Sequence, residues 1–372
     1  MRVALVNLTS GGLSGGYKKY LEAVLPLLRA SPSVSNLDIF CRQGMELPPD
    51  LGSTCWSWPP GDGLTGYTVL RSELRRRAPD VVFIPTARIV RSEFPTVIMV
   101  RNMEPLIAPF AGNSARDALK NIARCLTARM SCRHADRVIA VSPFVRDFLV
   151  DRWRIPSAKI GVVSHGVEAP LSRSLLTRPE WLGGHGSRPI IFTAGSIRPA
   201  RGLEDLISAM TKLRDSGVDA TLVVAGEVSG GARRYRRRLS DAIAENSLRD
   251  SVIWPGSLSR QSMAWSFANC VAFVMTSRVE ACPNTALEAL AYGTPCIATT
   301  LRPMPETFGD AAFYYKAGDS QALASQLSTV LGLGLAEKTS LADRARARAS
   351  EFTWEGTVRA TISELRLAAN GR

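Results

Sequence analysis

The sequence predicts an α/β protein made of two doubly wound halves, and three observations carry that reading. Short apolar runs rich in β-branched and aromatic residues alternate with helical patterns along most of the chain. The alternation lapses over residues 167–189, where periodicity is lost and Pro, Gly and Ser gather. It then restarts, giving two series of βα units, the pattern that parallel sheets covered by helices produce.

Each element follows in order. RVALVNL (2–8) is a first strand; the loop TSGGLSGG (9–16) and a helix over 17–29 come next. LDIFC (37–41), DVVFIP (80–85), TVIMV (96–100), RVIAVS (137–142) and IGVVSHG (160–166) continue the first series as strands. The second series reads PIIFTAGS (189–196), ATLVVAGE (220–227), SVIWPG (251–256), CVAFVMTS (270–277), PCIATT (295–300) and AAFYY (311–315). Between the last pair but one, Pro283 suits a first helical turn, Asn284 or Cys282 is placed to cap it, and Gly293 marks its end. Helices over 321–331 and 337–351 precede an amphipathic end piece, FTWEGTVRATISELRLAA. The expected division is an N-terminal domain over 1–168, rejoined by 353–372, and a second domain over 188–352.

Composition narrows the classes. A chain of 372 residues with 45% hydrophobic content has room for two sizeable cores and is not disordered. No apolar run reaches the length of a membrane span, and MRVALVNLTS reads as a strand rather than a signal peptide. Seven cysteines without a CxxC pair suit a reducing compartment. His134, His165 and His185 stand far apart, and Asp-x-Asp is absent, so no metal is expected. The net charge is +13, and residues 1–185 carry 24 Lys+Arg against 15 Asp+Glu. The first half is therefore expected to meet something acidic, the equal alternative being that its surface is simply decorated with solvated Arg.

The chemistry concentrates in EACPNTALEALAYGTPCI (280–297). Glu280 lies at the carboxyl end of a strand, where open α/β sheets bind ligands. A helix start just beyond it offers N–H groups to an anion such as a diphosphate. Glu288, one turn further in, can accept hydrogen bonds from a diol such as ribose; the alternative is that Glu288 only favours the helix dipole and Glu280 is a solvated loop residue. In AGSIRPARGLEDLISAM (194–210), Arg198 and Arg201 sit on a loop after a strand and match the bidentate geometry of a diphosphate. The Gly-rich loop 9–16, with Gly15 and Gly16 at its end, lets a phosphate or sugar approach the backbone, but lacks the Lys-Ser/Thr of a P-loop.

These segments resemble the donor-binding half of GT-B glycosyltransferases, specifically the retaining family four. SIRPARGLEDLISAM is similar to its diphosphate loop and helix, LVVAGE to its strand ending in Gly (Gly226), and WPGSL to the segment that meets the base (Gly256, Leu258). EACPNTALEALAYGTPCIA is similar to its E-x7-E motif followed by Gly-x-Pro. VSPFVRDFL (141–149), VVSHGV (162–167) and FTWEG (352–356) resemble the first half and the last helix more loosely. The resemblance implies two Rossmann-like domains facing a cleft and a metal-independent transfer from a nucleoside-diphosphate sugar, UDP-linked by default, with no cofactor. It implies that Glu288 holds the ribose, that amides of Asn284, Thr285 and Ala286 meet the diphosphate, and that Glu280 touches the donor sugar. Arg198 and Arg201 would neutralise the leaving group. Where the family often has a His facing the sugar, Asn102 is the expected occupant.

The acceptor side is less specific. In NSARDALKNIARCLTARMSCRHAD (113–136), Leu119, Ile122, Leu126 and Met130 share one helical face, and Arg116, Lys120 and Arg124 form a basic stripe. With Arg71, Arg75, Arg76 and Arg77 they make the first domain basic, which fits an anionic membrane surface or a lipid-diphosphate acceptor; the alternative is an apolar face packed on its own core with solvated Arg outside. The expected partners are a nucleotide-sugar donor and a glycan, lipid-linked or small-molecule acceptor. Nucleic acid is not expected as a partner, since a role suggested by charge alone ranks last among the readings. The expected place is the cytoplasm or the inner face of its membrane. The rivals are a nucleotide-sugar epimerase of GT-B fold and a non-catalytic nucleotide-sugar-binding protein.

Overall fold

The computed structural model describes residues 1–9, 15–42, 55–58, 64–107, 115–228 and 230–371. Residues 10–14 of the Gly-rich loop and the expected helix start at 113–114 lie outside them. The chain forms two compact units. One comprises Met1–Met103, Ile122–Gly166 and Thr353–Arg372; the other comprises Glu104–Asn121 and Val167–Phe352. Glu104–Asn121, expected with the first half, groups with the second, where Glu104 meets Arg198 and Asp117 lies against Gly231.

The first unit is built on seven parallel strands: β1 (Arg2–Val6), β2 (Asn36–Arg42), β3 (Cys55–Trp58), β4 (Val81–Ile84), β5 (Thr96–Val100), β6 (Arg137–Ala140) and β7 (Ile160–Val162). Their order is β3-β2-β1-β4-β5-β6-β7. β1, β4 and β5 are buried along almost their whole length, as continuous apolar runs should be when helices cover both faces of a sheet. β3 was not expected: CWSW is short, borders a single neighbour, and carries no longer apolar run to announce it. The first helix, Gly15–Ala30, begins two residues earlier than the expected 17, and buries Tyr17, Tyr20, Leu21, Val24, Leu25 and Leu28 on one side. The last helix, Trp354–Ala369, starts on a Thr353 cap whose hydroxyl accepts from Gly356 N at 3.0 Å. Arg137 and Glu364 tie it to β6 through an ion pair of 2.5 Å.

The second unit carries six parallel strands, β8 (Ile190–Ala194), β9 (Thr221–Ala225), β10 (Val252–Gly256), β11 (Ala272–Met275), β12 (Cys296–Thr299) and β13 (Ala312–Tyr315). The order is β10-β9-β8-β11-β12-β13. Alternate residues feed two cores. Ile191, Leu222, Val224 and Val274 meet the helices Leu203–Asp215 and Ser320–Gly332. Phe192, Val223, Phe273 and Met275 meet Asn284–Tyr292 and Arg260–Asn269. Cys270 and Cys296 lie inside this second core, where burial pushes their thiols up and keeps them inert.

The basic features divide differently from expectation. Arg75 pairs with Glu93, Arg76 with Glu73, and Arg77 with Asp38, so these three do not form an open cationic patch. The helix Ala115–His134 does have the expected amphipathic period, but it is turned round. Asn121, Ala128, Ser131 and Cys132 are buried, whereas Leu119, Ile122, Leu126 and Met130 are exposed. The alternative, in which that apolar face packs on the protein's own core, is thereby overturned. The inward positions hold small side chains that allow close approach, and the large ones are left outside. Among the described residues, no helix is long and apolar enough to cross a membrane.

Candidate functional site

The topology of the second unit singles out one place. The chain runs from β8 outward through β9 and β10, then returns to add β11, β12 and β13 on the other side of β8. Such a reversal leaves the loops after its two central strands diverging, and opens a crevice at their carboxyl ends. Here the central strands are β8 and β11. The loop after β8 carries Arg198 and Arg201, and the loop after β11 carries Glu280.

Arg201 is the centre of this edge. It closes a 3-10 turn, Pro199–Arg201, and its backbone is pinned when its carbonyl accepts from Thr276 Oγ1 at 2.6 Å. Its guanidinium donates through Nη1 to Glu280 Oε1 at 2.7 Å and through Nη2 to the Ala194 carbonyl. Glu280 Oε1 also accepts from Ser277 Oγ at 2.9 Å. The pair is well buried, with side-chain exposures of 8% for Arg201 and 15% for Glu280. Room for the guanidinium comes from Gly195, where a Cβ would stand 2.7 Å from Arg201 Nη2. Gly195 is linked to β9 by its N–H to Ala225 O at 3.0 Å, and Gly226 to β10 by its N–H to Gly256 O at 2.8 Å. Gly226 has φ +130°, and a Cβ there would lie 2.1 Å from Gly195 O, so the strand ends approach too closely for any other residue.

A second ion pair braces the loop from behind. Arg278 grips Asp205 with two bonds, Nη1 to Oδ2 at 2.8 Å and Nη2 to Oδ1 at 2.7 Å. Asp205 Oδ2 also accepts from Tyr315 OH at 3.1 Å and from Gly318 N at 2.8 Å, a fully used carboxylate at a buried helix start. Arg278 N–H bonds Ala200 O at 2.8 Å, which couples the β11 loop directly to the arginine turn. The sequence reading missed Arg278 and Asp205 as a pair, since 73 residues separate them.

The helix Asn284–Tyr292 buries Ala286, Leu287, Ala289, Leu290 and Ala291, leaving Asn284, Thr285, Glu288 and Tyr292 half-buried along one face. Glu288 therefore shares a face with the helix start, one turn below it. One expectation about that start is corrected. Neither Asn284 nor Cys282 caps it: Pro283 occupies the cap position with no side-chain bond. The Ala286 amide donates to Pro283 O at 3.0 Å, within the first turn of the helix. Arg198 has a partner of its own. Its Nη1 donates to Glu104 Oε2, so it is matched by a carboxylate that sequence reading left without a role. Glu280 and Glu104 supply the counter-charges of the two guanidiniums.

The remaining expected residues lie some in the second unit and some in the first. Leu258 is partly buried against the second core, and Gly256 turns at φ +74° beside Glu227. In the first unit Asn102 is exposed just past the carboxyl end of β5. Its neighbour Arg101 folds inward, 3.6 Å over the Tyr17 ring, with Nε on Pro85 O at 3.1 Å; burial lowers its pKa. Gly15 and Gly16 are exposed at the start of the first helix.

The two parallel α/β units have the GT-B fold. HepE from Anabaena, solved in complex with UDP, superposes with a TM-score of 0.76 at 18% identity, covering 98% of this chain and 100% of that one. Residues 37–169 match the family described as Glycosyltransferase Family 4, and residues 181–349 match the one described as Glycosyl transferases group 1. The chain belongs to this group 1, family 4 class of glycosyltransferases. Among curated relatives it is 26% identical to a D-inositol 3-phosphate glycosyltransferase of Kineococcus radiotolerans over 69% of its own length. That match spans only 62% of the relative. A glycogen synthase of Mycobacterium tuberculosis is 25% identical over 82% of this chain and 74% of the relative.

Proposed function

We propose that this protein transfers a sugar from a nucleoside-diphosphate donor, UDP-linked by preference, to a hydroxyl of a glycan, lipid-linked or small-molecule acceptor, with retention at the sugar carbon. The observation that carries the reading is the buried Arg201–Glu280 pair at the switch point of the second sheet, with Glu288 on the open face of the adjoining helix. It is supported by the family matches and by the UDP carried by the Anabaena neighbour.

The chemistry follows from charge. As the bond between the sugar carbon and the diphosphate oxygen breaks, negative charge grows on the leaving phosphate. Arg201 and Arg198 are already oriented toward carboxylates, so an arriving diphosphate exchanges one anionic partner for another without reordering the loop. In this reading the two arginines, rather than a metal ion, balance that charge. The acceptor oxygen forms its bond on the face the diphosphate leaves, and its proton passes to the departing phosphate oxygen. Glu280 is close enough to Arg201 to hold a sugar hydroxyl beside it, and Glu288 accepts from the ribose diol.

Calorimetric titration with UDP, GDP and ADP, followed by turnover assays with the matching donor sugars, tests the proposal. Tight binding of one nucleoside diphosphate together with acceptor-dependent release of it is the expected result. Binding without turnover on any acceptor would favour the non-catalytic reading, and donor conversion without an acceptor would favour the epimerase.

A further inference from the structure

The helix Ala115–His134 presents its large apolar side chains to solvent. Leu119 is 68% exposed, Ile122 44%, Leu126 58% and Met130 57%. Single exposed apolar residues are ordinary, but these four form one row, since their spacing returns to the same face at each turn. The row is about 16 Å long at 1.5 Å rise per residue. The opposite face, with Asn121, Ala128, Ser131 and Cys132, is the buried one.

Charge borders the row. Arg116 and Lys120 lie along one flank, Arg129 and Arg133 along the other, and Arg116, Lys120 and Arg133 are exposed. The helix holds one acid, Asp117, which is turned away from the row toward Gly231. Apolar side chains flanked on both sides by long cationic ones are the arrangement of a helix that lies in a membrane interface. There the row enters the acyl boundary while Lys and Arg reach back to the headgroups.

We infer that this helix docks the protein on an anionic lipid surface through Leu119, Ile122, Leu126 and Met130, with Arg116, Lys120, Arg129 and Arg133 on the headgroups. A second copy of the chain is the poorer occupant. Packing the row against itself across a twofold would bring the same cations face to face. The inference is independent of the transferase reading, because partition onto lipid is measured without donor or acceptor.

The full chain is sedimented with vesicles of phosphatidylcholine alone and of phosphatidylcholine mixed roughly two to one with phosphatidylglycerol, across a salt series. Binding is expected on the mixed vesicles, weak on phosphatidylcholine, and released as salt rises. Leu119→Ser with Leu126→Ser is expected to weaken it about ten-fold or more by removing two inserted side chains. Arg116→Glu with Lys120→Glu is expected to do the same by reversing the attraction. All four positions are exposed, so the melting temperature should hold, and either variant alone keeps the test decisive if the other misfolds. Equal binding by the parent and both variants overturns the inference. So does absence of parent binding, or a solution dimer that the serine variant dissolves.

Discussion

Glu280→Ala separates the role of the carboxylate from that of the arginine it holds. Arg201 loses its counter-charge while remaining buried, and Ser277 loses its acceptor. Removing one member of a buried ion pair costs about 3–5 kcal/mol, and here the cost falls to about 2–3 kcal/mol, because Glu280 is partly exposed and the Ala194 carbonyl still accepts from Arg201. For a domain of this size that is a fall in Tm of roughly 4–12 °C. The vacated place then favours an anion. UDP binding next to an unpaired guanidinium is expected to raise the Tm of the variant by more than it raises that of the parent, by the usual coupling of ligand and stability. Turnover is expected to fall at the same time, since the sugar loses a contact. Glu280→Gln keeps an acceptor oxygen for Arg201 and should lie between the two. The assay is a pair of thermal melts, with and without saturating UDP, beside a turnover measurement. A variant as stable as the parent, or one with an equal or smaller UDP shift, would refute the idea that Glu280 balances Arg201 until the diphosphate arrives.

Three further outcomes are expected. Glu288→Ala removes the proposed acceptor for the ribose diol and should weaken UDP binding by about 1–3 kcal/mol in a calorimetric titration, with 2′- and 3′-deoxy analogues losing less against the variant than against the parent. Arg198→Ala should lower kcat more than it raises the donor KM, because the charge it faces grows only as the bond breaks; steady-state kinetics in which KM alone changes would assign Arg198 to ground-state binding. Gly226→Ala places a Cβ 2.1 Å from Gly195 O at φ +130° and should cost about 2–5 kcal/mol in denaturant unfolding. A loss under about 0.5 kcal/mol, the size of an ordinary surface change, would mean the strand ends move apart freely.

What could be read in the sequence depended on whether the signal was local. β5 and β11 are buried on both faces, and such strands announce themselves as unbroken apolar runs. CWSW at Cys55–Trp58 forms an edge strand through backbone pairing with β2 alone, which leaves no comparable pattern in its four residues. The period of Ala115–His134 was legible too, but a period defines a face without saying what that face meets. The sequence reading left open whether Leu119 and its row met lipid or the protein's own core, and the structure turns them outward. Glu104 carried no mark at all. Its partner Arg198 lies 94 residues away, and no spacing rule reaches that far.

The two residues at the centre of the site show the same division at closer range. Arg201 was recognisable from its place on a loop between a strand and a helix, and Glu280 from its place before a helix start. Their pairing was not, because 79 residues separate them and the contact exists only if β8 and β11 are neighbours. That adjacency comes from the order in which the strands are added, which is set by the fit of whole helices on both faces and not by the loops. The pairing in turn explains the sequence in a way the motif does not. A guanidinium buried at a sheet edge is costly without an anion, and in the proposed reaction a diphosphate is present only part of the time. A carboxylate on the adjacent strand end keeps the arginine ordered in between, and Gly195 and Gly226 keep the backbone close enough for it to reach. The arginine, the carboxylate and the glycines therefore form one device, and a substitution in any of them should be felt at the others.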